Sequence, residues 1–236
     1  MKKLLFSLIS MILLLGATGG PVALAAGNAD IPPLTQRISF AAGATSGSVS
    51  STLTAFGYQN FLVRAGAGNT MSVSLTSDNT NAYFRVYRRY YWGALWGRGD
   101  GATTWSRVLP ADGDYVVRVY GPAGTHYSLN VVIPARIRFA YGAYSGTVTG
   151  HTDSSRINSY IAWARADQTM TATVTSSGGA MGITVYGYND GIPLVRAVSG
   201  ATSWSGKLPA SQNYIIDATP AAGSAISYTL TLTITN

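Results

Sequence analysis

Met71-Ser72-Val73-Ser74-Leu75-Thr76 alternates apolar and hydroxylated side chains without a break, and Met170-Thr171-Ala172-Thr173-Val174-Thr175 repeats the alternation further along the chain. A period of two places one set of side chains on each side of an extended backbone, so each stretch reads as a half-buried β-strand. The match is not confined to these strands. Arg37-Ile38-Ser39-Phe40 recurs as Arg136-Ile137-Arg138-Phe139, and the register holds without a gap from residues 37–119 onto 136–218, with 27 identities. Trp105-Ser106 falls on Trp204-Ser205, and Leu109-Pro110-Ala111 on Leu208-Pro209-Ala210. A repeat of this length is domain-sized and too long for a solenoid unit. The two copies serve as an internal control: what both keep reports on the fold, and what one copy has alone is a candidate for function.

Outward from the quoted strands, Tyr115 to Val119 and Tyr214 to Ala218 are runs rich in β-branched residues, introduced by Asp112-Gly113-Asp114 and Ser211-Gln212-Asn213. Those triplets carry turn chemistry. The closing strands, Tyr127 to Ile133 and Tyr228 to Ile234, alternate most cleanly. Ile38 to Ala41, Gly47 to Leu53, Asn60 to Arg64, Ala82 to Tyr87 and Thr103 to Leu109 complete a set of about eight strands per module, the pattern of a sandwich or jelly roll. The expected fold is all-β: two tandem antiparallel, jelly-roll-like β-sandwich domains, at 36–134 and 135–236, with no helix. Ile133-Pro134-Ala135-Arg136 leaves almost no linker, so the modules are expected to sit close together.

The start of the chain reads as an export leader over residues 1–25: Lys2-Lys3, an apolar run from Leu4 to Leu15, then small residues to Ala25-Ala26. Residues 26–35 form an N-terminal segment before the first module. The apolar run is too short to span a bilayer, and no membrane span is expected elsewhere. The expected location is secreted or periplasmic. Cysteine is absent, which removes disulfides, thiolate metal sites and a lipidated cysteine. Without Lys2 and Lys3, 14 basic residues face 9 acidic ones, a net charge of +5. Every acid is Asp, and Lys207 is the single lysine after the leader, so arginine carries the positive charge. Clustered, that charge would attract an anionic partner. Nucleic acid is excluded as the partner of an exported chain with no basic run longer than two residues.

The residues Phe40, Gly43, Ser46 and Val49, then Phe61, Ala65, Ala67, Gly68, Thr70, Met71, Val73 and Leu75, then Leu109, Pro110, Gly113, Asp114, Tyr115, Tyr127 and Leu129 follow a recognisable order. In that order the chain resembles the bacterial pre-peptidase C-terminal domain, and both modules share the resemblance. The same sandwich is used by periplasmic inhibitors of g-type lysozyme, and Phe40 to Gly47 is similar to their opening segment. The resemblance implies a noncatalytic accessory or binding module on a β-sandwich and supplies no active site or cofactor.

The sharpest contiguous difference between the copies lies after Tyr87. Arg88, Arg89, Tyr90, Tyr91, Trp92, Trp96 and Arg98 stand where the second copy has Gly187, Tyr188, Asn189, Asp190, Gly191, Val195 and Ala197. Aromatic faces stack on sugar rings or anchor a protein partner, and arginines take carboxylates or phosphates bidentately. The competing expectation is an extended hairpin that packs on the neighbouring module. Trp105 and Trp204, kept in both copies, read as core or strand-edge anchors, and Arg98-Gly99-Asp100 as a turn. An enzyme is hard to assemble: His126 and His151 occupy non-equivalent positions, no Gly-x-Ser-x-Gly elbow is present, and a carboxylate pair would have to come from Asp. The expectation is a noncatalytic binding protein without cofactor or metal, its partner an extracellular polysaccharide bound through the 88–98 loop. A cell-surface protein partner is an alternative, with inhibition of a g-type lysozyme and a structural or assembly role as the others.

Overall fold

A computed structural model describes residues 35–89, 103–152, 156–221 and 225–236, together with the backbone of 94–96. The leader, Tyr90, Tyr91, Trp92 and Arg98 lie outside the described residues, as does the side chain of Trp96. The described residues all fall within one compact unit.

The first copy contributes β1 (Thr35–Arg37), β2 (Ser46–Thr52), β3 (Tyr58–Ala65), β4 (Thr70–Ser77), β5 (Tyr83–Arg88), β6 (Ala94–Trp96), β7 (Thr104–Val108), β8 (Gly113–Tyr120) and β9 (His126–Val132). The second contributes β10 (Ala135–Arg136), β11 (Ser145–Thr152), β12 (Asn158–Ala164), β13 (Thr169–Ser177), β14 (Met181–Gly187), β15 (Pro193–Val195), β16 (Ser203–Lys207), β17 (Gln212–Pro220) and β18 (Ile226–Thr235). A single 3-10 turn, Ala197–Ser199, is the helical element among the described residues. Each copy folds into a five-stranded sheet facing a four-stranded one, ordered β1-β3-β8-β5-β6 over β2-β9-β4-β7 and β10-β12-β17-β14-β15 over β11-β18-β13-β16. The order is the same in both copies strand for strand. Even the bulge between Val86 and Tyr87 returns between Val185 and Tyr186.

The alternation places the cores. Met71, Val73 and Leu75 point inward with Tyr115, Val117, Val119, Tyr127, Leu129 and Val131, and the corresponding residues of the second copy build a separate core. Fully burying a side chain of this size stabilises the fold by about 1.5–3 kcal/mol. Trp105 and Trp204 pack against the two cores as partly buried anchors. Tyr115 and Tyr214 each donate a hydroxyl to the carbonyl four residues back, Ala111 at 2.6 Å and Ala210 at 2.7 Å, which ties the Leu-Pro-Ala turns to the sheets.

The structure departs from the expected strands at the entrance. Ile38 to Ala41 is not a strand; the entering strand is Thr35–Arg37, and it runs parallel to β3 in an otherwise antiparallel sheet. Ile38 instead turns its side chain into the core while its N–H bonds Leu62 O at 2.9 Å.

The outer face of the four-stranded sheet of the first copy looks across a junction at the outer face of the five-stranded sheet of the second. Thr45 links the two: its N–H donates to Asn158 Oδ1 at 3.4 Å, and its Oγ1 accepts from Ser159 N–H at 2.6 Å. Ser106 Oγ reaches the Tyr188 hydroxyl at 3.4 Å. The five-stranded sheet of the first copy lies on the opposite side of its sandwich from this junction, and its outer face is not among the residues lining it.

Candidate functional site

That face carries an array of tyrosine and arginine. Cross-strand register sets Tyr58, Tyr120 and Tyr83 in one row, Asn60, Arg118 and Arg85 in the next, and Leu62, Val116 and Tyr87 in the third. Side chains two residues apart on a strand share a face, so the stretches Tyr58-x-Asn60, Tyr83-x-Arg85-x-Tyr87 and Arg118-x-Tyr120 must all point outward once Phe61, Phe84 and Val119 point in.

The array is internally bonded. Tyr83 and Tyr120 stack with centroids 4.9 Å apart and planes 9° from parallel. The Arg85 guanidinium sits 5.7 Å and 5.6 Å from these two rings, and that of Arg118 4.6 Å from Tyr58 and 5.5 Å from Tyr87. Arg118 Nε donates to Asn60 Oδ1 at 2.7 Å, and the hydroxyls of Tyr87 and Tyr120 are 2.8 Å apart. Cation–π contact of this kind stabilises by about 0.5–1 kcal/mol at exposed sites and orients the guanidinium. Burial, then the bond to Tyr120, raises the pKa of the Tyr87 hydroxyl, and the hydrogen bond that Arg85 donates to the Tyr87 oxygen raises that of Arg85. Both groups therefore hold their protons at neutral pH.

At one edge of the array Asp114 accepts two bonds from Arg37, at 2.9 Å each, and one from Arg89 at 3.0 Å. The Arg37 guanidinium, with Arg89 behind it, brings the Asp114 carboxyl down to about 2. Arg64 stands opposite Asp114 in the register. The described residues of this face thus set Arg37, Arg64, Arg85, Arg89 and Arg118 against one aspartate. Arg85 and Arg118 are held by tyrosines and an asparagine, and their charge is not cancelled by a carboxylate in these contacts.

The second copy has none of this. Its rows hold Ser159, Asp217 and Thr184, then Ile161, Ile215 and Tyr186, with Gly182 and Thr219 where the first copy has Tyr83 and Tyr120. This is the face committed to the junction.

Of the residues expected from the sequence, Arg88 ends β5 and Arg89 bonds Asp114, so both lie at the border of the array. Trp96 pairs with Val86 through the backbone of β6, so β6 belongs to the same sheet as the array. Tyr58, Asn60, Tyr83, Arg85, Tyr87, Arg118 and Tyr120 were not expected. Their signal lay in the copy-to-copy comparison, at Tyr58 against Ile157, Tyr83 against Gly182, Arg85 against Thr184, Arg118 against Asp217 and Tyr120 against Thr219, but spread over three strands it forms no contiguous motif.

The solved structures similar to this chain include three of one kind. All are described as periplasmic lysozyme inhibitors of g-type lysozyme: PliG of Aeromonas hydrophila, at 24% identity and a TM-score of 0.39, covering 43% of this chain and 95% of that one; PliG of Salmonella Typhimurium, at 19% and 0.35, covering 43% and 96%; and a mutant of the Escherichia coli protein, at 18% and 0.35, covering 43% and 96%. No family model and no curated protein matches, so the resemblance to the pre-peptidase C-terminal domain rests on the residues quoted for it.

Among the described residues no cluster of three or more His, Cys, Asp or Glu side chains could hold a metal ion. His126 bonds Thr52 across β2 and β9, and His151 bonds Ser227 across β11 and β18, so each histidine is part of a strand-to-strand pair.

Proposed function

We propose that this chain is an exported, noncatalytic binding protein that engages an acidic partner through the tyrosine–arginine face of its first sandwich and the adjoining 88–98 loop. The observation that carries this reading is that one copy of a duplicated sheet bears the array while the other copy's equivalent face is taken up by the junction. The form of the array selects the partner. Ring faces already covered by guanidiniums and by each other leave hydroxyls, ring edges and N–H groups to solvent, which favours hydrogen bonding to anionic groups over stacking on a bare sugar face. Tyrosine and arginine without lysine or glutamate is also the composition of protein-binding hot spots. A protein partner with an acidic patch therefore fits this face better than the polysaccharide expected from the loop alone.

Inhibition of a g-type lysozyme is the specific form this takes if the resemblance noted in the sequence extends to function. Many lysozymes are basic, so an inhibitor with this surface would need an acidic patch on its target or strong short-range contacts. A turnover assay of a g-type lysozyme with equimolar protein tests it: undiminished activity removes the inhibitor reading. Polygalacturonate and neutral glycans are offered in parallel. Whatever partner binds, the double variant Arg85→Ala/Arg118→Ala is expected to weaken it at least about 30-fold, as for two hot-spot residues. Equal affinity in the variant removes the face from the account.

A further inference from the structure

The junction holds a cleft of 960 Å³ that shares no residue with the tyrosine–arginine face. Facing sheets ordinarily interdigitate apolar side chains about 10 Å apart. Here one wall presents Ser48, Ser72 and Asn130, and the other presents Asp217, Tyr186 and Ile215. The bonds at Thr45 and Ser106 hold the walls in place across this space.

Asp217 is the focus of the second wall. Its carboxylate accepts from Ser159 Oγ at 2.6 Å and from the Tyr186 hydroxyl. A carboxylate offers about four lone-pair directions, so two such bonds leave acceptor capacity toward the cleft. Serine hydroxyls and the Asn130 amide each donate and accept, and Phe40 and Ile157 supply apolar patches beside them.

The chemistry of this lining narrows the ligand. An apolar molecule would strip the hydroxyls of water and return no hydrogen bonds. An anion would meet Asp217, and a cation would meet Arg156, which also lines the space. A ring with several hydroxyls and C–H faces matches both the two-way hydrogen bonding and the apolar patches. We propose that the junction cleft binds a neutral polyhydroxylated ligand, a sugar or short oligosaccharide, with Asp217 accepting from its hydroxyls and Ser48, Ser72 and Asn130 bonding it from the opposite wall.

The test is a titration of the isotope-labelled full chain with neutral tetrasaccharides of glucose, N-acetylglucosamine and mannose in both α and β linkages where they exist. At least one is expected to shift the backbone resonances of Ser72, Asn130 and Asp217, with a dissociation constant on the order of 0.1–5 mM. Asp217→Ala should weaken that binding at least about tenfold. Ser72→Trp, on an outward-facing strand position, should fill the cleft and abolish binding with the melting temperature kept, so the proposal stays testable if Asp217→Ala fails to fold. Arg85→Ala should leave it unchanged, which separates this site from the binding face. Absence of any shift across the panel overturns the proposal, as does binding that survives Ser72→Trp.

Discussion

Asp114 and Asp217 both lie on outward faces of β8 and β17, and opposite forces act on them. Arg37 and Arg89 hold Asp114 at about 2, so its stabilising contribution is full above the ordinary carboxylate pKa and fades as pH falls through 2. A carbon-detected titration should show the Asp114 carboxyl still ionised at pH 3, and a midpoint in the ordinary range would remove the ion cluster from the description. Burial pushes Asp217 up to about 6, ahead of the opposing bonds from Ser159 and Tyr186. A raised acid favours the folded state fully below its unfolded pKa near 3.9, and that contribution is lost as pH rises through 6. Asp217→Asn should therefore stabilise the protein by on the order of 2 kcal/mol at pH 8 and change little at pH 3.5, read by urea unfolding at the two pH values. Neither shift is legible in the sequence, because each depends on residues far along the chain.

At the scale of the element, Gly150 in β11 shows how the two copies diverge inside a common frame. It faces Tyr228, whose hydroxyl lies 2.8 Å from that of Tyr160 and accepts from Asn158 Nδ2 at 2.8 Å. A Cβ at Gly150 would run into the phenols of Tyr228 and Tyr160. Gly150→Ala is expected to destabilise by about 1–3 kcal/mol, the usual cost of overpacking, with a matching fall in the urea midpoint. The first copy has Phe61 in place of Tyr160 and tolerates Ser51 at the matching position. Most strands were legible because one face is buried and alternation survives: Met71–Thr76 and the closing strands are examples. β1 was not, since Thr35-Gln36-Arg37 is exposed throughout and is placed by pairing with β3 and by the grip of Arg37 on Asp114. The tyrosine–arginine array escaped for a related reason. A sheet face gathers residues from strands distant in sequence, whereas the 88–98 loop announces itself as a single run.

For the molecule as a whole, the short connection at Pro134 was a sufficient signal that the sandwiches sit close, but which faces meet depends on Thr45. Thr45→Val removes the acceptor of Ser159 N–H and leaves a donor inside the junction, at a cost of about 1–3 kcal/mol. Faster hydrogen exchange at Ser159, with unchanged exchange at Val117 and Leu230 in the two cores, is the expected signature. Uniform loss of protection throughout would show that the junction and the cores unfold as one.

The sheet that bears the array ends in three-residue strands on both sides, β1 and β6. Such short margins offer few free backbone N–H and C=O groups to an incoming chain, so a partner gains little by adding a strand of its own. Recognition then falls to side chains already held in place before contact. A surface of that kind selects by the spacing of charges, and a partner's conformation matters less than the pattern it displays.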